Sequence, residues 1–164
     1  MKVLKNYSYN LSYQLLVIIL PIITTPYVTR VFTSSELGSY GYHNSIVAYF
    51  LLAATLGIST YATKEISAHT VDRSKVFWEI YAIQGIASAV ALVLYLIVCW
   101  TIPGMQNPIA YILSISLVSR GLDISWLFQG VEDFKKITIR NMTVRIIGVC
   151  SIFLFVKNES DLYF

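Results

Sequence analysis

ISLVSRGLDISWLFQGVEDFKKITIR, residues 115–140, is the stretch that decides the fold of this chain. Its first half is apolar enough to be part of a membrane-spanning helix, yet it contains Arg120 and Asp123. Together with Ser116, these residues have the spacing i, i+4 and i+7, which predicts one shared helical face. A charge at the bilayer centre costs about 2.5–3.5 kcal/mol on insertion scales, so we expect this face to turn toward protein or a water-filled cavity.

The composition is that of a membrane protein. Of the 164 residues, 56% are hydrophobic and only 13% are charged, whereas a soluble domain carries about 25% charged residues. The formal net charge is +3, which is too small and too evenly spread to favour a nucleic-acid partner. We therefore expect the lipid bilayer, and no nucleic acid, among the partners of this chain.

Apolar runs of membrane-spanning length recur along the chain. A helix needs about 20 residues to cross the hydrocarbon layer, and the runs are separated by polar or glycine-containing segments. The pattern predicts an all-α, polytopic membrane fold of about five transmembrane helices, with no separate soluble domain. The predicted spans are residues 11–32, 43–63, 80–102, 109–128 and 142–156.

Glycine and proline residues indicate turns and bends. Gly38 and Gly41 lie in the segment 33–42, where they predict a sharp reversal between the first two helices. Pro21 and Pro26 lie inside the first span, where proline is tolerated because neighbouring groups satisfy the freed carbonyls. A bend in the first helix is therefore predicted.

Lysine and arginine residues predict the orientation in the membrane. Eight of them flank one side of the predicted spans and two flank the other, and cytoplasmic loops carry the excess. The N-terminus is therefore predicted to be cytoplasmic and, after five spans, the C-terminus to lie outside. The eight residues are Lys2, Lys5, Lys64, Arg73, Lys75, Lys135, Lys136 and Arg140, and the two are Arg30 and Lys157.

The sequence contains no catalytic or metal-binding pattern. It has no GxSxG, P-loop or HExxH motif, and His43 and His69 are isolated, which favours interfacial or loop positions over metal ligation. Cys99 and Cys150 lie in apolar runs without a CxxC pattern, which predicts buried reduced thiols. We therefore predict no enzyme activity, no catalytic residue, no metal site and no cofactor.

The charged residues inside the apolar runs allow more than one interpretation. Arg120 and Asp123 form either a structural ion pair, which lowers the cost of insertion, or a charged lining for an anionic substrate. In the second case Asp123 can also serve as a proton-coupling carboxylate. Arg30 either extends to the outer headgroups or meets the substrate.

Three ordered stretches carry a resemblance to a known family. They are YVTRVFTSSELGSYGYHNSIVAYF (27–50), LGISTYATKEIS (56–67) and LDISWLFQGVEDFKKITIRN (122–141). Their most specific positions are Gly38, Tyr40, Gly41, Trp126, Gln129, Gly130 and Glu132. In this order they resemble the bacterial polysaccharide-export flippases, the Wzx-type O-antigen and capsule repeat-unit translocases of the multidrug/oligosaccharidyl-lipid/polysaccharide exporter superfamily. The resemblance covers nearly the whole chain.

The resemblance implies a fold, a substrate and a location. Members of the family have about a dozen or more helices in two lobes around a central cavity, so this chain would supply most of one lobe and be a fragment of a full transporter. They move undecaprenyl-pyrophosphate-linked oligosaccharides across the inner (cytoplasmic) membrane for O-antigen, capsule or exopolysaccharide synthesis. Polysaccharide polymerase and other assembly proteins are implied partners. The candidate substrate-binding residues are Arg30, Ser116, Arg120 and Asp123.

The chain also departs from one branch of that superfamily. Its multidrug exporters resemble one another in an acidic coupling residue in the first helix, but no Asp or Glu occurs from Met1 to Ser35, which argues against a drug/cation antiporter. One alternative to a flippase is a non-transporting membrane scaffold or subunit of a polysaccharide assembly complex. A membrane-embedded glycosyl or acyl transferase ranks last, because no acidic pair or catalytic histidine lies in a suitable loop.

Overall fold

The computed structural model describes residues 2–55, 57–68 and 72–157, and every regular element within them is helical. The all-α prediction is therefore confirmed. The α-helices are α1 (Lys2–Val31), α2 (Ser34–Thr55), α3 (Ile58–Ala68), α4 (Arg73–Thr101), α5 (Pro108–Leu113), α6 (Ile115–Gly121), α7 (Ser125–Gly130) and α8 (Phe134–Phe155), with a 3₁₀ turn at Pro103–Met105.

Five helical segments are long and apolar enough to cross a membrane, as predicted. Two of them are interrupted, because the second contains α2 and α3 and the fourth contains α5, α6 and α7. We call the five segments the first to the fifth span. They are Leu11–Val31, Ser34–Ala68, Arg73–Thr101, Pro108–Gly130 and Phe134–Phe155.

The chain forms two compact units. The first unit contains Met1–Gly38 and Glu132–Phe164, and the second contains Ser39–Val131. The first unit is therefore built mainly from α1 and α8, which are distant in sequence. The second unit holds α3 to α7 and most of α2.

In the first unit, α1 and α8 pack against each other in parallel. Near the ends of both helices, the Tyr27 hydroxyl donates a hydrogen bond of 2.7 Å to the Val156 carbonyl, and the rings of Tyr27 and Phe153 lie 4.6 Å apart. Further back along both helices, the guanidinium of Arg145 lies 5.8 Å from the centre of the Tyr13 ring. Parallel packing requires an odd number of crossings between the two helices, and the second, third and fourth spans supply three.

The prolines of α1 do not end the helix. The helix continues through Pro21 and Pro26, although neither residue has an N–H to donate to the carbonyl four residues earlier. The carbonyls of Val17 and Ile22 therefore lack their usual helical partners. The predicted bend follows from these missing hydrogen bonds and stays a prediction.

In the second unit, hydrogen bonds between spans define the directions of the helices. Gln84 contacts the chain near Arg120, and Tyr95 contacts it near Ala110, so α4 and the fourth span are antiparallel. Ser59 at the start of α3 lines one pocket with Asp123, and Thr63 further along α3 contacts Gln129, so α3 runs in the same direction as the fourth span. These directions agree with successive crossings of one membrane.

The segment 33–42, predicted to be a turn, is helical instead. The α2 helix begins at Ser34 and continues through Gly38 and Gly41. Thr33 and Glu36 form a capping box, in which the Thr33 N–H donates to Glu36 Oε2 at 2.8 Å and the Glu36 N–H donates to Thr33 Oγ1 at 3.4 Å. The prediction was wrong because glycine is tolerated within membrane helices, whereas the T-x-x-E pattern is a helix start.

The helices of the third and fifth spans, α4 and α8, also begin earlier than predicted. The α4 helix begins at Arg73 and α8 at Phe134, so the charged residues before both apolar runs extend the helices instead of forming loops. Helices commonly continue past the hydrocarbon layer, because their backbone hydrogen bonds do not depend on an apolar environment.

The isolated thiols and histidines have different environments. Cys99 is buried, as predicted, but Cys150 is exposed on the surface of α8, so that part of the prediction was wrong. His43 lies inside α2 and is buried, with its Nδ1 2.7 Å from the Ser39 carbonyl, so it does not lie in a loop. His69 lies outside the described residues.

Candidate functional site

The fourth span is interrupted in the second unit, next to the unbroken helix α4. The α6 helix ends at Gly121 and α7 begins at Ser125, so residues 122–124 are not helical. A break of this kind leaves backbone carbonyls without their regular helical donors, and each such group is costly within a membrane. The Asp123 N–H donates to the Arg120 carbonyl at 3.3 Å, and side chains of a neighbouring helix can supply further donors.

Gln84 of α4 donates the hydrogen bonds that the break requires. Its Nε2 lies 2.9 Å from both the Arg120 and the Asp123 carbonyl oxygens, and 3.3 Å from that of Gly121. Its Oε1 accepts a hydrogen bond of 2.8 Å from the indole N–H of Trp126. Gln84 is only 5% exposed, so one buried amide connects α4 to the two helix ends that form the break.

Two more residues on the same face of α4 bind the fourth span. Ser88 donates a hydrogen bond of 2.6 Å to the Leu117 carbonyl, and Tyr95 donates one of 2.9 Å to the Ala110 carbonyl. Between α5 and α6, the N–H of Ser114 bonds the Tyr111 carbonyl three residues back, which frees the Ala110 carbonyl from the α-helical pattern. Polar side chains of α4 thus bond the fourth span near both of its interruptions.

The second span is interrupted beside the same place. Gly57 has φ 75°, a left-handed conformation that glycine adopts without steric cost. The hydroxyl of Thr55 donates to the Leu51 and Leu52 carbonyls at 3.2 and 2.9 Å. A small pocket lies between the two breaks. It is lined by Ala54, Thr55, Ile58, Ser59, Gln84, Arg120 and Asp123.

The pocket is too small for a sugar or a phosphate. Its volume is ≈ 10 Å³, and a single water molecule needs about 10–15 Å³ on the same measure. A larger anionic group would therefore meet the partly exposed outer edge of this site and could not enter the pocket.

Arg120 and Asp123 form a loose ion pair at the edge of the pocket. Arg120 Nη1 lies 3.6 Å from Asp123 Oδ2, and the two side chains are 41% and 33% exposed. Asp123 also bonds the first residue of α7, because its Oδ1 accepts hydrogen bonds from the N–H of Ser125, at 3.0 Å, and from the Ser125 hydroxyl. The carboxylate is therefore fixed by the chain, while the longer arginine side chain extends toward it.

Ser116 does not share a continuous helix with Asp123. The prediction of one shared helical face is wrong, because α6 ends at Gly121 and residue 123 lies beyond its end. The Ser116 hydroxyl is half-buried and donates a hydrogen bond of 2.5 Å to the Leu113 carbonyl. The hydroxyl thus satisfies a carbonyl at the junction of α5 and α6, and its role toward a substrate stays a prediction.

Arg30, the fourth predicted site residue, belongs to the first unit. It lies in the last turn of α1 and is exposed. A cation in the last turn interacts favourably with the negative end of the helix dipole. The structure therefore brings Arg120 and Asp123 together, places Ser116 one helical turn from Arg120, and places Arg30 in the other unit.

The Arg120–Asp123 pair lies near the middle of the fourth span. Arg120 follows Pro108 by 12 residues and precedes Gly130 by 10. At a rise of about 1.5 Å per residue, Arg120 is roughly 18 Å of helix from the start of the span and roughly 15 Å from its end. Interrupted helices of transporters form their binding sites near the middle of such spans.

The residues after the break fix α7 to α3. Gln129 Oε1 accepts a hydrogen bond of 3.4 Å from the Thr63 hydroxyl, and the Gly130 carbonyl accepts one of 3.1 Å from the Ser67 hydroxyl. A Cβ at Gly130 would lie 2.6 Å from Ile66 Cγ2, so only glycine fits here without a shift of neighbouring atoms. The motif positions Trp126, Gln129 and Gly130 therefore hold the interrupted span against its neighbours.

Gln84 is the important residue that the sequence analysis missed. A lone amide within the apolar run 80–102 is the available signal, because a polar side chain within a span usually faces protein and bonds its backbone. The sequence does not indicate which carbonyls it bonds, because the pattern of the fourth span predicts a continuous helix.

These features define a multi-pass helical membrane protein whose second and fourth spans are interrupted beside one common pocket. The sequence profile of a family described as "Polysaccharide biosynthesis protein" matches residues 3–164. The chain belongs to this family.

Two curated relatives show similarity along most of the chain. A protein of Escherichia coli (strain K12) is 25% identical over 149 residues, which cover 88% of this chain and 36% of the relative. A protein of Shigella dysenteriae is 23% identical over 145 residues, which cover 87% of this chain and 37% of the relative. Both carry the name "Putative O-antigen transporter". The chain thus spans little more than a third of their length, and no solved structure matches it.

Proposed function

We propose that this chain is the N-terminal part of a flippase that moves lipid-linked oligosaccharide repeat units, carried on undecaprenyl pyrophosphate, across the inner membrane. The product would serve the synthesis of O-antigen, capsule or exopolysaccharide. Family membership and the names of the two relatives support the polysaccharide part of this proposal. In this role the chain performs no covalent chemistry, and the polymerase and other assembly proteins act on the product after transport.

The two adjacent helix breaks are the observation that supports a transport function. The second span is interrupted at Gly57 and the fourth at residues 122–124, and both breaks line one pocket with Arg120 and Asp123. Interrupted membrane helices expose backbone polar groups and charges at the depth where a translocated headgroup must pass. A scaffold that only joins other proteins has no such need at mid-membrane.

Arg120 is the residue that we expect to contact the pyrophosphate. Its guanidinium is partly exposed beside the pocket, and a planar guanidinium can donate two parallel hydrogen bonds to one phosphate. Asp123 keeps the cation in place between substrates, because the loose contact of 3.6 Å can be exchanged for a phosphate contact. Ser116 is a secondary candidate for contact with the sugars. Arg30 is a secondary candidate for contact with the phosphate after transport.

Complementation in the full-length transporter tests the role of Arg120. Arg120→Ala should abolish polysaccharide export while membrane protein level stays near normal. Arg120→Lys should retain part of the export, because the charge survives but the planar fork does not. Export is measured in a flippase-null strain, with protein level determined in the same membranes.

The double variant Arg120→Ala/Asp123→Asn separates substrate binding from a structural ion pair. If the pair is only structural, removing one partner leaves an unpaired charge, and neutralising both should restore protein level and export. If Arg120 binds the substrate, the double variant should be as inactive as Arg120→Ala. Restored export would reject the binding role.

The proposed orientation places the N-terminus in the cytoplasm, following the excess of Lys and Arg at one end of the spans. Reporter fusions after Arg73 and Lys136 should then be active only inside the cell, and a fusion after Gln106 only outside it. An external signal at Arg73 would contradict the orientation without affecting the assignment of Arg120.

A further inference from the structure

The end of the first unit where α1 and α8 begin is strongly basic. Because the two helices are parallel, both contribute their N-terminal turns to this end, and with them the positive ends of their helix dipoles. Neither residues 2–31 nor residues 134–157 contain an Asp or a Glu. The basic residues at this end are Lys2, Lys5, Lys135, Lys136, Arg140 and Arg145.

Arg145 is the residue of this group whose side chain contacts the other helix. It is exposed, its guanidinium lies 5.8 Å from the centre of the Tyr13 ring, and within the described part of the chain it makes no hydrogen bond or ion pair. Contact with the ring face holds the cation by a cation–π interaction but satisfies none of its five N–H donors. These donors need acceptors from outside the two helices.

The depth of Arg145 indicates which acceptors are available. The first span begins at Leu11, and Tyr13 follows two residues later, about 3 Å along the helix axis. The guanidinium, which contacts the Tyr13 ring, therefore lies near the start of the first span, although the backbone of Arg145 lies near the middle of the fifth span. A long arginine side chain directed toward the start of its helix can extend to the headgroup level. Lipid phosphates at that level are acceptors that match the guanidinium fork.

A second guanidinium is directed to the same face of α8. The Nε and Nη2 atoms of Arg140 donate hydrogen bonds of 3.1 and 3.0 Å to Oδ1 of Asn141. Asn141 and Arg145 are four residues apart and therefore neighbours on the helix surface. By contrast, Lys136 is already paired with Asp133 at 2.9 Å, so it is less available to an external anion.

We propose that Arg145, with Arg140 and Asn141 beside it, binds the phosphate of an anionic phospholipid at this end of the first unit. In the proposed orientation this lipid belongs to the cytoplasmic leaflet. The inference goes beyond the proposed transport function, since it requires only that the chain spans a bilayer. A phospholipid is favoured as occupant because the six basic residues at this end outnumber its two carboxylates, Glu132 and Asp133.

Native mass spectrometry of the detergent-purified chain tests this site. The protein is titrated with phosphatidylglycerol or with phosphatidylcholine of the same acyl chains. We expect phosphatidylglycerol to bind more tightly, and Arg145→Gln to weaken its binding about fivefold, the effect typical of one cation near the headgroups. Phosphatidylcholine binding should be unchanged. Arg145→Lys should lie between the two proteins, because it keeps the charge without the planar fork.

Lys157→Gln is the control, since it removes one cation just beyond the opposite end of α8. It should leave phosphatidylglycerol binding unchanged. Equal weakening by Lys157→Gln and Arg145→Gln would overturn the proposal in favour of a general charge effect. Unchanged binding in Arg145→Gln, with native helix content by circular dichroism, would also overturn it. If Arg145→Gln does not fold, Arg145→Lys takes its place in the test. Reduced phosphatidylglycerol binding by Arg145→Lys would support the site, and unchanged binding would overturn it.

Discussion

The two units differ in the contacts that hold their helices together. Every buried hydrophobic side chain among the described residues lies in the second unit. There, α4 bonds the carbonyls of an interrupted neighbour through Gln84, Ser88 and Tyr95. In the first unit, α1 and α8 are continuous and none of the side chains in the most apolar part of α1 is buried.

The difference shows what interrupted helices require. Lipid tails are as apolar as leucine, so burial of apolar surface alone gives little drive for membrane helices to associate. A broken helix has free carbonyls to which a neighbouring side chain can donate hydrogen bonds. These hydrogen bonds fix the position of the two helices relative to each other. The second unit is therefore held by specific polar contacts around its site, whereas the exposed surface of the first unit is suited to contact with lipid or other segments.

The most severe test of this difference is removal of the Gln84 amide. Gln84→Met keeps the length of the side chain but leaves at least two buried polar groups without partners, at about 1–3 kcal/mol each. We expect the free energy of unfolding to fall by about 2–4 kcal/mol, less if the carbonyls find other donors in the membrane. The measurement is denaturant unfolding of the detergent-solubilised protein.

Gln106→Met is the control, because Gln106 bonds the Trp100 carbonyl in an exposed turn. Its effect should stay within about 0.5 kcal/mol. Equal losses for the two variants would show that the second unit does not depend on the hydrogen bonds at its break.

A pair of glycine substitutions compares the packing of the two units. At Gly130 an added Cβ meets Ile66 Cγ2 at 2.6 Å and the Thr63 carbonyl oxygen at 3.1 Å, whereas at Gly148 of α8 it meets nothing within 4 Å. Gly130→Ala should therefore destabilise the protein by about 1–3 kcal/mol through overpacking. Gly148→Ala should be neutral or stabilising by up to about 1 kcal/mol through helix propensity. Thermal unfolding measures both.

The reverse order of these two effects would contradict the close contact of α7 with α3. The full transporter adds a second readout. Gly130→Ala should lower its membrane level, whereas Gly148→Ala should not, unless another segment of the transporter packs on that face of α8.

The smallest expected effect concerns the exposed ion pair at the start of α8. The hydrogen bond from Lys136, at 2.9 Å, holds the pKa of Asp133 below its ordinary value of about 3.9. Because the folded pKa is the lower one, the pair stabilises the fold above about pH 4, and this contribution is lost as pH falls through the folded pKa. Lys136→Met should reduce the loss of stability in this acidic range.

Lys135→Met is the matched variant, since Lys135 acts on Asp133 only through weaker long-range attraction. Unfolding curves between about pH 3 and pH 6 should show a smaller change for Lys135→Met than for Lys136→Met. An equal change would mean that general positive charge, and not the ion pair, sets the acid response.

The sequence predicted the class of the fold because apolar length is a strong signal in membrane proteins. It identified all five spans, and it identified Arg120 and Asp123 as a charged pair. It did not reveal the breaks at Gly57 and at residues 122–124, since apolar periodicity continues through both. Hydropathy measures the affinity of a segment for the bilayer, whereas a helix break depends on donors supplied by a different span.

Local signals were available where other predictions failed. Thr33 and Glu36 have the spacing of a capping box, and this pattern outweighs the two glycines that suggested a turn. The exposure of Cys150, by contrast, depends on which face of α8 meets α1. Contacts such as that of Tyr27 with Phe153 determine which face this is. Because these residues are more than a hundred positions apart, no local sequence pattern predicts it.

The parallel packing of α1 and α8 also sets the order of events during synthesis. The α1 helix ends at Val31 and α8 begins at Phe134, so roughly 100 residues must be translated before the partner of α1 exists. At about 5–20 residues per second, the first helix waits on the order of 5–20 s after its own completion. Throughout that interval its apolar surface and its two proline-freed carbonyls must be accommodated by lipid or by the insertion machinery. The α1 helix is therefore completed long before its partner in this unit exists.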